Sequence, residues 1–157
     1  TITRRLSRFA PILAYVLLPV MRVLGALVKT EKELLAEFTE LVFGQGDSTM
    51  KLTKAHIMTF PISDVRQVAQ DALEVCSHMK ITQRENLESE LLNLGLPSLV
   101  ILENQSYKTF LKITSRGRIT KEDDWRMVRS LLDTDTLNEN QKIYAAELLD
   151  SFEYTRT

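Results

Sequence analysis

Few residues in this sequence are of types that do chemistry, and their spacing limits what that chemistry could be. There is one cysteine, Cys76, and two histidines, His56 and His78. A Ser or Cys nucleophile needs a base within hydrogen-bond reach. Cys76 and His78 stand two apart on a predicted helix, so their side chains point about 200° apart and form no local couple. Cys76 falls on the apolar stripe of Val68, Ala69, Ala72 and Met79, which predicts a core thiol rather than a reactive one. His78, opposite that stripe, is expected at the surface.

Metal and phosphate chemistry are equally poorly served. Three thiol or imidazole groups do not supply the C-x2-4-C or H-x3-5-H spacing of a structural zinc site. Residues 112–123 place Gly117, Ile119 and Asp123 where a calcium loop needs glycine, an apolar residue and a carboxylate, but Lys112, Thr114 and Arg116 take the first ligand positions. Asp133 and Asp135 begin a similar run, which fails at Leu137. Five glycines form neither G-x-x-x-x-G-K-[ST] nor G-x-G-x-x-G. Glu33 with Glu37 is a pair of solvated helix acids with i,i+4 partners. The sequence therefore predicts no catalytic residue, no cofactor site and no metal site.

Charge is the more informative property. Lys plus Arg number 20 against 21 for Asp plus Glu, a net charge of -1, so bulk attraction to nucleic acid or membrane is excluded. The charge is nevertheless striped. Residues 1–29 hold Arg4, Arg5, Arg8, Arg22 and Lys29 with no acid, and residues 96–121 hold Lys108, Lys112, Arg116, Arg118 and Lys121 against Glu103 alone. Residues 30–49 carry five acids against Lys32, and residues 122–157 carry nine acids against four bases. Lys108, Lys112 and Arg116 recur at i, i+4 and i+8, one helical face, with Tyr107 beside them and Arg118 and Lys121 past the next turn. These five residues, together with Arg4, Arg5 and Arg8, are the candidate partner-binding residues. No nucleic-acid reading motif accompanies them, so a nucleic-acid surface is the weaker reading; a solvated helix face is the plainer one, and the partner expected of a binding patch is an acidic protein surface.

Helices must carry these residues. A short polar acceptor stands three residues before Glu or Gln in Thr30-Glu31-Lys32-Glu33, Thr82-Gln83-Arg84-Glu85 and Asn138-Glu139-Asn140-Gln141, and Thr120 before Asp123 is a weaker form. Behind them, apolar residues recur at helical spacing: Leu34, Leu35, Phe38, Leu41 and Val42, then Val65 to Met79, then Leu87, Leu91 and Leu94. Leu99, Leu102, Phe110 and Ile113 follow, then Trp125, Val128, Leu131 and Leu132, then Ala145, Leu148, Leu149 and Phe152. The expectation is a single all-α bundle of six or seven helices over residues 30–157, with Trp125 buried. Between Gly44 and Pro61 the pattern is ambiguous: Leu52, His56, Met58 and Phe60 alternate as in a short extended segment, while Ser48 could cap a short helix. At 157 residues such a fold buries roughly 68–70% of its unfolded surface and requires no disulfide. The lone thiol points to a reducing compartment, cytoplasmic or organellar interior.

Residues 1–29 are expected to form an N-terminal helix, apolar over residues 9–28. Arg22 inside the stretch would cost about 2.5–3.5 kcal/mol at a bilayer centre. Arg4, Arg8, Pro11, Tyr15, Arg22 and Lys29 form a narrow polar stripe. The segment therefore reads either as a core helix of the bundle or as a docking helix lying on a membrane surface or in a partner's groove.

The segments Ile113-Thr114-Ser115-Arg116-Gly117-Arg118-Ile119-Thr120-Lys121-Glu122-Asp123-Asp124 and Leu131-Leu132-Asp133-Thr134-Asp135-Thr136-Leu137-Asn138-Glu139-Asn140-Gln141, followed by Ile143, Leu148 and Leu149, resemble a pattern in small uncharacterised helical proteins of cyanobacteria. The resemblance covers about 45 of 157 residues. It implies no chemistry, only an accessory role in a larger complex. The sequence thus favours a non-enzymatic interaction module, adaptor, regulatory or accessory subunit. The alternatives are a peripheral membrane protein held by its N-terminal helix and a small enzyme with a dispersed site. No oligomeric state is fixed.

Overall fold

A computed structural model describes residues 28–44 and 52–156. The N-terminal helix expected over residues 1–29, with Arg4, Arg5 and Arg8 in it, falls, but for Val28 and Lys29, outside the described residues. So does Ser48. Among the described residues the chain is all-α: 75% of them are helical, in eight helices, with no strand. In chain order these are α1 (Glu31–Phe43), α2 (Lys54–Ile57), α3 (Ile62–Ser77), α4 (Ile81–Asn93), α5 (Leu99–Glu103), α6 (Gln105–Arg116), α7 (Glu122–Leu132) and α8 (Glu139–Arg156).

Two of the eight, α2 and α5, are single turns of four and five residues, too short for apolar periodicity to reveal. The stripe from Leu99 to Ile113 is broken at Asn104, whose backbone is extended. Its side-chain oxygen accepts from the amides of Ser106 at 2.9 Å and Tyr107 at 3.2 Å, starting α6 as a separate helix. The ambiguous stretch resolves as α2, capped by Thr53, whose hydroxyl accepts from the His56 amide at 3.2 Å. Ile57 is fully buried there with Ala36 and Val65, and Leu52, Met58 and Phe60 pack around them.

The caps at Thr30 and at Asn138 with Gln141 form as expected. The Thr30 hydroxyl accepts from the Glu33 amide at 3.2 Å, and Asn138 and Gln141 satisfy one another's amides at 2.8 and 3.1 Å. The other two starts are shifted. α4 begins before Thr82, with the Gln83 side chain accepting from the Lys80 amide at 3.3 Å. α7 begins at Glu122 with no side-chain cap. Glu122, Asp123 and Asp124 in its first turn complement the helix dipole instead. α4 and α6 both end at glycines with left-handed backbones, Gly95 at φ 69° and Gly117 at φ 77°. Leu94, expected on the apolar stripe, closes α4 and is exposed.

The chain divides into two compact units, Thr30–Gly117 and a second that includes residues 118–156, a finer division than one bundle over 30–157. In the first, α1 packs on α2, α3 and α6, and α5 on α6. Phe38, Ala72, Cys76, Leu91, Leu99, Tyr107 and Phe110 are among its buried residues. In the second, α7 packs on α8, and Val128, Leu131, Tyr144, Ala145 and Leu148 are buried. There Glu122 accepts from Arg126 at 2.8 Å and Arg156 at 3.3 Å, which together hold its carboxyl below the usual range. Trp125 is half-buried rather than fully buried, as is Leu132. Its indole N–H finds no hydrogen-bond partner among the described residues, and the Arg129 guanidinium lies 5.3 Å from the ring centre.

Cys76 is fully buried on α3, as its stripe predicts, and burial pushes its thiol from the ordinary 9.0 up to about 11. The folded protein holds this proton more tightly than the unfolded chain does. Its contribution to stability is therefore complete below about pH 9 and is lost between pH 9 and 11. Urea midpoints measured at pH 8 and 10.5 should fall less for Cys76→Ala than for the wild-type chain. Equal falls in the two proteins would contradict a neutral core thiol.

Candidate partner-binding site

The site is built around an acid at the start of α1. Glu31 is the first residue of that helix, where negative charge is favoured, yet it is only 2% exposed. One carboxylate oxygen accepts from Arg66 of α3 at 2.6 Å through Nη2 and 3.1 Å through Nε, and from the Ser115 hydroxyl of α6 at 3.2 Å. Three helices thus meet at one charge. Sequence reasoning did not find this pair because its members lie 35 positions apart. The available signal was Arg66 directly beside the apolar stripe of α3 and Glu31 in the first turn of a capped helix.

Next to this cluster, α1, α3, α5 and α6 enclose a groove of about 240 Å³. Its apolar walls are Leu35, Phe38, Ala69, Leu73, Leu102 and Leu111, all but Leu35 buried. Its polar border comprises Glu31, Arg66, Gln70, Gln105, Lys108 and Lys112.

Of the predicted binding residues, the structure therefore places Lys108 and Lys112 together at one apolar groove. Lys108 donates to the neutral Gln70 side chain at 3.0 Å, and Lys112 is exposed with no partner among the described residues. Arg116 lies one turn further along α6, exposed and off the groove. Arg118 and Lys121 belong to the second unit, where both are exposed.

Three acids of α1, Glu31, Glu37 and Glu40, are engaged elsewhere. Glu37 binds the Lys54 ammonium at 2.7 Å, which is the main reason that group is held above its ordinary value, and Glu40 accepts from the Lys54 amide. Glu31 is taken by Arg66. In the second unit Glu122 holds Arg126 and Arg156, while Lys142 lies 3.4 Å from Glu139 and 3.7 Å from Asp135.

Cys76, His56 and His78 do not line the groove. The charges that bear on the Cys76 thiol are Arg84, Glu103 and Glu88, not a histidine. His56 and His78 are exposed, and His56 packs its ring edge-on to Phe60 at 5.0 Å. The calcium frame at 112–123 is not a loop, since Lys112 to Arg116 are the last helical residues of α6. Among the described residues no cluster of three or more His, Cys, Asp or Glu could hold a metal ion, and no helix is long and apolar enough to cross a membrane.

The pair should respond asymmetrically to substitution. Glu31 is buried, whereas the Arg66 side chain is 35% exposed and can turn to water. Arg66→Met strands a buried carboxylate and should cost about 3–5 kcal/mol, while Glu31→Gln leaves a guanidinium that can be solvated and should cost less. Urea melts of the two variants check this, and equal losses would mean that the carboxylate is not dependent on Arg66.

No protein-family model, no curated protein and no solved structure matches this chain.

Proposed function

We propose that this chain is a non-enzymatic interaction module, an accessory or adaptor subunit of a larger protein complex. Its first unit binds an acidic surface of a protein partner through the face of α6 that carries Lys108 and Lys112. The observation behind this reading is the isolation of those two lysines. In a chain with 21 acids they sit one turn apart beside an apolar groove, and neither meets a carboxylate among the described residues. Two like charges held so close repel one another, and an external carboxylate relieves that repulsion. Binding rather than catalysis is supported by the thiol, which is buried and protonated and has no histidine among the charges acting on it. A reducing compartment is part of the same proposal, on the strength of the single buried cysteine. The C-terminal resemblance adds only the accessory role.

Affinity isolation from the native source at low salt, with the wild-type chain and with Lys108→Glu/Lys112→Glu, tests the proposal. The double reversal should lose partners that the wild type retains, and raised salt should release the same partners, with the thermal midpoint nearly unchanged. Identical partner profiles from two folded proteins would remove α6 from the functional account.

A further inference from the structure

We propose that the groove beside Lys108 and Lys112 is an anchor pocket for a single apolar side chain of an acidic helical segment in the partner. Recognition would then be of a short motif rather than of diffuse negative charge. This deepens the reading above and rests on it.

Three observations carry it. The first is size: about 240 Å³ lies below the roughly 300–1,000 Å³ of pockets that enclose whole small molecules, and suits one inserted side chain. The second is lining. Phe38, Leu73 and Leu111 are buried groove walls with no charge among them, the environment in which an aromatic or aliphatic anchor gains most.

The third is the placement of charge around the mouth. Arg66 is committed to Glu31, so it forms a fixed wall. Lys108 and Lys112 remain, separated along α6 by four residues, a rise of about 6 Å. Two carboxylates four positions apart on a partner helix match that rise. An apolar residue at the third position between them lies about 60° from the first carboxylate and about 100° from the second, on the flank that can turn into the groove. The Lys108 bond to the Gln70 amide is to a neutral acceptor, so exchanging it for a carboxylate yields the stronger, charge-assisted bond.

The experiment uses the full chain and a labelled helical peptide carrying Glu-x-x-Phe-Glu in an alanine-rich frame, followed by fluorescence anisotropy at low salt. Replacing Phe by Ala in the peptide should weaken binding about tenfold or more. Replacing the two Glu by Gln should do the same, as should Lys108→Gln/Lys112→Gln in the protein, checked for retained helicity by circular dichroism. Equal binding of the Phe and Ala peptides overturns the anchor pocket while leaving the charged-surface reading in place. Absence of peptide binding, in a protein whose native partners still depend on Lys108 and Lys112, also overturns it. Displacement of the peptide by decanoate at concentrations below those of the peptide overturns it in favour of a small anionic amphiphile. If the charge reversals leave the native partner profile unchanged, the broader proposal fails as well, so the two failures are told apart.

Discussion

The first unit depends on one buried carboxylate. Removing Glu31 from water carries a large desolvation penalty, and such a charge persists in a fold only when good geometry and hydrogen bonds offset it. Arg66 supplies two donors and Ser115 a third, so α1, α3 and α6 must arrive at one point together for the charge to be accommodated. That requirement fixes the start of α1 against the N-terminal part of α3 and the end of α6, and the groove lies beside the point where they meet. A wholly apolar contact could hold the same helices with less penalty. What the ion pair adds is a defined register among them.

The same constraint decides which cations remain available. α1 is rich in acid, and left to itself could have neutralised the basic face of α6. Instead Glu31 turns to Arg66, and Glu37 and Glu40 turn to Lys54 on the short helix α2. The balance of internal charge thus falls away from Lys108 and Lys112. A near-neutral chain can in this way keep a local positive patch.

The sequence made legible what is local. The caps at Thr30 and Asn138 and the burial of Cys76 each depend on residues within a turn or two, and each formed where the spacing put it. Legibility ended where a local choice had close competitors. Helix α4 could start at Thr82 or two residues earlier, and the Gln83 side chain favours the earlier start. Asn104 could sit within a helix or break it, and its side chain bonds the next turn's amides instead. Trp125 shares the stripe of Val128, yet it is only half-buried, with the Arg129 guanidinium 5.3 Å from its ring centre. The candidate site was half legible: spacing on α6 showed the lysines share a face, but Glu31, Arg66 and the groove require three helices to be placed together.

The proposed site concentrates binding energy where Lys108 and Lys112 border the groove. Amide chemical-shift mapping of the isotopically labelled full chain, titrated with the acidic, phenylalanine-bearing helical peptide, reads this out residue by residue. The largest changes are expected on residues 108–112 of α6 and 66–73 of α3, two of the helices bordering the groove. Changes centred on the exposed apolar residues Leu92, Leu94 and Val100, or on α8, would contradict it.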